Sequence, residues 1–269
     1  MDDWLLGRLS ESRKRWVEAM NNVSLREGVM ISHFEMLSDW QWYRRRGGSN
    51  KTTIQRYMSN WAEMLAPATP HLAEEFWDSL GRDGLLASNT LSDLSDLSSK
   101  DWSHTLAMEE YLRELIDSAR NIKILAQKHS EKPLTKMVIQ TSPLWKSELA
   151  SDAIEMSLSD FDFRAKGQDY LKNLPIFSNE SLRGEIFQTW ISMTSGTKKK
   201  RGRINTWSYG QKTLLRNGFD ESSMINMNSS FIANSLGIEN VESYRVGEGE
   251  DVAGKARVSF PLEPGIAFL

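Results

Sequence analysis

The chain has 269 residues, of which 39% are hydrophobic and 10% aromatic, enough to build one large or two ordinary domains around a sizeable core. It contains no cysteine, which excludes a disulfide framework and thiolate metal sites and fits a cytoplasmic protein. The acidic start, with Asp2 and Asp3, has no basic segment ahead of an apolar one, and no run of about eighteen apolar residues occurs anywhere, so neither secretion nor membrane spanning is expected.

The net charge of −3 is unevenly spread. Residues 1–163 carry 19 Lys+Arg against 25 Asp+Glu, residues 164–217 carry 11 against 3, and residues 218–269 carry 3 against 8. A basic segment within an acidic frame fits one localised contact with a polyanion, and fits equally a solvated loop.

Apolar residues recur at helical spacing from the start of the chain. Leu5, Leu9, Trp16 and Met20 form one stripe, and Val29, His33, Met36, Trp40 and Tyr43 form a second at alternating steps of four and three. A third stripe is Ile54, Tyr57, Trp61 and Leu65. Pro67 cannot continue that helix, while Thr69 and Pro70 suit the N-cap and first position of the next, a short helix with Leu72, Phe76 and Leu80 that Gly81 ends. Glu74 and Glu75 fall near its positive end. Residues 82–101 read as a polar loop lying on the bundle, and Met108, Leu112, Leu115, Ala119, Ile122 and Ala126 describe a long fifth helix.

From Lys132 and Pro133 onward the pattern changes. Residues 136–141 read as a buried strand, and helices are expected over 143–158, 163–174, 180–194, 205–217 and 220–236. Three short strands are expected near the end, at 241–246, 256–260 and 266–269. The fold class is therefore mainly α, an antiparallel helical bundle over residues 1–131 followed by a small α/β domain over 132–269.

Catalytic patterns are sparse. The sequence has no P-loop, GxSxG or HExxH string. His71 and Glu75 share a helical face but lack a nearby third metal ligand, and His33, on an apolar stripe, reads as a packed histidine rather than a general base. Basic residues are better placed. Arg44, Arg45 and Arg46 precede Gly47 and Gly48 at a helix end, where cations favour the negative terminus and guanidinium groups could also pair with phosphate oxygens. Lys198, Lys199, Lys200, Arg201 and Arg203 precede Asn205, Trp207 and Tyr209, a mixture able to attract an RNA backbone and stack on unpaired bases. The basic hexamer alone fits nuclear targeting or a heparin-like patch as well, and Trp207 reads as core.

The string Met64-Leu-Ala-Pro-Ala-Thr-Pro-His-Leu-Ala-Glu-Glu-Phe-Trp77 resembles a helix corner in the tRNA-binding bundle of class I aminoacyl-tRNA synthetases of the leucine, isoleucine, valine and methionine group. Trp4-Leu-Leu6, Leu25-Arg-Glu-Gly28, His33-Phe-Glu-Met-Leu37, Trp42-Tyr-Arg-Arg-Arg-Gly-Gly48, Tyr111-Leu-Arg-Glu-Leu-Ile116, Ser142-Pro-Leu-Trp-Lys146 and the tail from Gly254 to Leu269 extend the resemblance to leucyl-tRNA synthetases of the archaeal and eukaryotic type. The similarity is looser over 147–240.

This resemblance implies a C-terminal tRNA-binding portion severed upstream of the bundle, which contacts the backbone, elbow and long variable arm of tRNA(Leu). Neither HIGH-like nor KMSKS-like signatures occur, and Val138 and Ile139 follow Lys136 and Met137 where a second lysine would be needed. The chain alone is therefore expected not to activate leucine and to hold no cofactor, with ATP and magnesium belonging to a catalytic portion outside it. By the same resemblance, Arg44, Arg45, Arg46 and Lys51 are candidate backbone contacts, and Lys198, Lys199, Lys200, Arg201, Arg203 and the tail residues Gly265, Ile266, Phe268 and Leu269 are candidates for the elbow or variable arm. A different reading makes the chain a protein-docking module that joins a synthetase to another domain or a multi-enzyme assembly.

Overall fold

A computed structural model describes residues 1–159, 161–195, 202–249 and 251–269. It divides into two compact units, Met1–Leu106 and Ala107–Leu269.

The first unit is a bundle. Helix α1, Asp2–Asn21, buries Leu5, Leu9 and Trp16 as its stripe requires. Helix α2, Leu25–Val29, runs through a π-helical stretch, Met30–Glu35, into α3, Met36–Arg45. The wider π turn shifts the stripe expected there: Gly28, Ile31, Ser32 and Met36 are buried, while Val29 and His33 are half-exposed. The Ser32 carbonyl within the π turn accepts a hydrogen bond from Trp61 Nε1 at 2.6 Å, and His33 lies between the Ser32 and Thr69 hydroxyls, 3.0 and 3.4 Å away. The histidine is thus packed and hydrogen-bonded.

Helix α4, Lys51–Leu65, is the central helix, with Tyr57, Met58, Ala62, Met64 and Leu65 buried together with polar Thr53, Ser59, Asn60 and Glu63. Glu63 is tolerated inside because Arg13 donates to it at 2.9 Å and Ser92 donates through its backbone N–H at 3.1 Å and through its hydroxyl. The turn after α4 leads to α5, Pro70–Ser79. Thr69 stands at the N-cap, but its hydroxyl donates back to the Leu65 carbonyl at 3.2 Å instead of capping. Ala73 is the residue of α5 that is buried, whereas Leu72 is exposed. Glu74 accepts from the backbone of Leu86 and Ala87 at 2.8 and 2.9 Å and pins the following loop. That loop is tethered further by buried Leu86, Leu94 and Leu97, the last within the short helix α6, Ser95–Ser98.

Helix α7, Ser103–Gln127, extends into the second unit, where Tyr111, Leu112, Leu115, Ile116 and Ala119 are buried. Strand β1, Lys136–Thr141, is followed by α8, Leu144–Leu158, α9, Phe163–Lys172, α10, Arg183–Thr194, and α11, Tyr209–Arg216. Where one helix was expected over 220–236, two occur, α12, Glu221–Met227, and α13, Ser229–Leu236. Asn228 separates them, its side chain donating to the Met224 carbonyl at 2.8 Å and competing with the helix backbone.

Strands β2, Asn240–Arg245, and β3, Gly265–Phe268, flank β1 in the order β2-β1-β3, β2 parallel and β3 antiparallel to it. The segment expected as a strand at 256–260 lies instead largely in a 3-10 helix, Val252–Val258, and a turn closed by the Phe260 and Glu263 bridge. Pro261 and Pro264 have no N–H to give a ladder, and Asp251 accepts from the Ala256 N–H at 2.8 Å, which favours the coil. The core joins Leu149, Ala153 and Ile154 of α8 to Leu171, Ile186, Trp190, Leu215, Trp207 and Phe260.

Candidate nucleic-acid interface

In the first unit, the corner between α3 and α4 concentrates four of the sequence-derived candidates. Helix α3 ends in a Schellman motif: the Gly48 N–H donates to the Tyr43 carbonyl at 2.9 Å and the Gly47 N–H to the Arg44 carbonyl at 3.1 Å. Gly47 takes the left-handed conformation this motif needs, φ +82°, and Gly48 lies flat on the Tyr43 ring, where an added Cβ would come within 2.3 Å of a ring carbon.

The Tyr43 hydroxyl donates to Asp2 Oδ1 at 2.6 Å, and the Asn50 side chain donates to Asp2 Oδ2 at 3.0 Å while its own oxygen accepts from Thr52 and Thr53 at the start of α4. The turn is therefore braced on both sides. Its cations are presented from a fixed backbone.

Arg44 and Arg45 are exposed, their guanidinium carbons 5.6 Å from the Trp40 ring and 5.1 Å from the Trp42 ring. Trp40 is itself stacked on Tyr43, centroids 5.9 Å apart. These indole supports were not singled out from sequence, where both tryptophans read as apolar stripe or motif residues. Their spacing, four residues from Trp40 to Arg44 and three from Trp42 to Arg45, was the available signal. Arg44 NH1 also donates to the Gly48 carbonyl at 3.0 Å, so capping and presentation of charge occur together. Arg46 is half-buried at the C-cap, and Lys51 is exposed at the first turn of α4. A cation at a helix N-terminus opposes the helix dipole, so Lys51 is not there to stabilise α4.

The second group of candidates lies in the second unit. Lys198, Lys199, Lys200 and Arg201 lie outside the described residues. Arg203 is held by the fold: Nε and NH2 donate to the two Glu263 carboxylate oxygens at 3.2 and 3.1 Å, NH1 donates to the Ser192 hydroxyl, and the guanidinium lies 4.0 Å over the Phe260 ring. Trp207 is buried, as expected, while Asn205, in the 3-10 turn Arg203–Asn205, and Tyr209, at the start of α11, are exposed. Of the tail, Gly265 and Ile266 are buried in the sheet, Phe268 is half-buried and Leu269 is exposed. A Cβ on Gly265 would meet the Lys255 carbonyl at 2.4 Å, so this glycine is required by close backbone packing. Leu269 is fixed by backbone hydrogen bonds with Lys136 at 2.9 and 3.1 Å. What β3 presents at the surface is thus its end.

His71 and Glu75 are both exposed, and among the described residues no group of three or more His, Asp or Glu could hold a metal ion. No described helix is long and apolar enough to cross a membrane. The family of the anticodon-binding domain of tRNA ligase matches residues 2–138. The chain belongs to that family. The family match runs from α1 through the arginine corner and α7 to the first residues of β1.

Beyond this match, the chain is 26% identical over 278 residues to a leucine–tRNA ligase of Methanococcus maripaludis, covering 99% of this chain and 24% of that protein. It is 25% identical over 267 residues to a leucine–tRNA ligase of Methanocaldococcus jannaschii, covering 99% of this chain and 25% of that protein. With a leucine–tRNA ligase of Methanothrix thermoacetophila the identity is 32% over 157 residues, 58% of this chain and 16% of that protein. The chain spans about a quarter of the length of the first two relatives.

Proposed function

We propose that this chain is the C-terminal tRNA-binding portion of a leucine–tRNA ligase, docking tRNA(Leu) through its backbone, elbow and long variable arm while a catalytic portion outside the chain attaches leucine. The observation that carries the reading is similarity to leucine–tRNA ligases along 99% of the chain, together with an anticodon-binding domain match that includes the braced arginine corner. Arg44, Arg45, Arg46 and Lys51 act as phosphate contacts presented from a fixed turn, and Lys198, Lys199, Lys200 and Arg201 add charge in the second unit. Arg203 serves this interface by anchoring its own segment to Glu263 and Phe260. ATP and magnesium belong to the catalytic portion.

Titrating the purified chain with tRNA(Leu) at several salt concentrations tests the reading. Binding should be saturable at low salt, and replacing Arg44, Arg45 and Lys51 by serine should reduce the slope of log affinity against log salt by about 0.7–0.9 for each phosphate no longer neutralised. Leucine-dependent ATP–pyrophosphate exchange should be absent from the chain alone. Absence of saturable tRNA binding at low salt would favour the second reading, a protein-docking module, for which exposed Met30, Phe34 and Leu37 at steps of four and three offer an apolar helix face.

A further inference from the structure

The core of the second unit reaches the surface at a notch, a cavity of about 200 Å³ that none of the candidate interface residues lines. Its floor is buried Leu149 of α8 and buried Ile186 of α10, and its walls are Trp145, Leu174, Pro175 and Ile176.

One wall is set before any ligand arrives. Pro175, with its fixed φ, opens a 3-10 turn, Pro175–Ser178, in which the Phe177 N–H donates to the Leu174 carbonyl at 2.9 Å. Arg183 Nε in turn donates to the Phe177 carbonyl at 2.9 Å, and its guanidinium carbon lies 5.7 Å from the Phe177 ring. A wall held in this way lowers the ordering cost of binding.

Two carboxylates complete the lining. Glu148 and Asp152 stand four residues apart on α8 and so share one face of it. Glu148 is exposed, and Asp152, half-buried, accepts a hydrogen bond from the Tyr170 hydroxyl. Among the described residues no cation pairs with either, whereas the charges around them are matched: Lys146 with Glu185 at 2.8 Å, Arg216 with Glu155 at 2.5 Å and Arg183 with Glu180 at 3.2 Å. Lys146 is also buried and donates to the Ser259 carbonyl at 3.4 Å, which keeps it from the rim. Like charges at a spacing of four oppose a helix, so the pair does not stabilise α8.

This combination decides the class of ligand. Carboxylates repel a phosphate backbone, so the notch is not a further RNA contact. Its volume lies below the usual range of small-molecule sites, about 300–1,000 Å³, and suits a single apolar side chain. An apolar side chain with a cation beside it is what a segment of protein supplies.

We propose that this notch docks a partner protein by one apolar side chain set among Trp145, Leu174 and Ile176, with arginine or lysine residues of the same segment paired to Glu148 and Asp152. The apolar anchor supplies most of the affinity, and the carboxylates at the rim supply selection and a faster encounter. Such docking does not depend on tRNA binding.

The test uses the full chain to select from random short peptides displayed on phage. Recovered peptides are then synthesised and titrated against the wild type and its variants. Glu148→Gln combined with Asp152→Asn removes both charges and keeps an acceptor for Tyr170, Glu148→Lys reverses the charge at an exposed helix position, and Ile176→Ser opens the wall. Melting curves show which variants are folded, and Glu148→Lys keeps the test decisive if Ile176→Ser is not.

Selected peptides should share a leucine, methionine or phenylalanine beside arginine or lysine, bind more weakly as salt rises, and shift the methyl resonances of Leu149, Leu174 and Ile176. Affinity should fall at least about tenfold in each folded variant, the scale of losing a central anchor or its charge partner. No selected peptide, peptides without a basic residue, or peptides that bind the folded variants as tightly as the wild type would overturn the proposal. Concentration-dependent dimerisation of the chain alone, abolished by Glu148→Lys, would make a second copy the occupant and overturn the separate partner.

Discussion

Glu221→Gln replaces a buried carboxyl whose protonation the fold alters. Burial raises the Glu221 pKa from its ordinary 4.5 to about 7, the hydrogen bond donated by Tyr111 opposes the rise, and the charges of Asp220 and Glu263 add to it. In the unfolded chain the group ionises near 4.5, so the folded state holds an extra proton between the two values. Its contribution to stability is complete below the unfolded value and is lost as pH rises through about 7.

At 1.36 kcal/mol per pKa unit the full span is about 3 kcal/mol, and about 2.5 kcal/mol of it falls between about pH 5 and about pH 8. Glutamine keeps the shape and an oxygen to accept from Tyr111 but cannot titrate. Native-state hydrogen exchange of the β1 amides, corrected for intrinsic rates, should therefore show wild-type opening free energy falling by about 2.5 kcal/mol more than that of the variant over this interval. Equal losses in the two proteins would refute the assignment of a raised pKa to Glu221.

Other perturbations separate structural from binding roles. Glu63→Ala leaves Arg13 buried without its partner and frees Ser92, so the first unit should lose about 3–5 kcal/mol, read as a lower urea midpoint of the bundle's helical signal. Asn50→Ala removes the cap of α4 and the tie to Asp2 and should cost about 1 kcal/mol in the same measurement, with Asn50→Ser recovering most of it. Trp61→Phe withdraws the donor from the Ser32 carbonyl and should destabilise the bundle by about 1 kcal/mol, with faster amide exchange over the π turn. Arg203→Ser should lower the melting temperature of the second unit, whereas replacing Lys198, Lys199 and Lys200 by serine should leave melting unchanged and flatten the salt dependence of tRNA binding; the reverse pattern would exchange their roles.

Local chemistry made much of this protein legible in its sequence. The stripes of α1 and α4, Pro67 and Pro70 at the corner, strand 136–141 and the mainly α class followed from periodicity and backbone restrictions that act over a few residues. The arginines beside Gly47 and Gly48 were visible for the same reason, because a helix end and its C-cap glycine are encoded locally.

What the tertiary structure decided depends on groups far apart in the chain. The wider π turn shifts the second stripe and its Ser32 carbonyl meets Trp61, twenty-nine residues away, and Thr69 keeps its cap position while turning its hydroxyl to Leu65. Arg203 looked like its basic neighbours in sequence, but Glu263, sixty residues away, ties this arginine to the fold. The segment 256–260 coils where Asp251 takes the Ala256 N–H that a ladder would use, and Pro261 follows without an N–H to extend one.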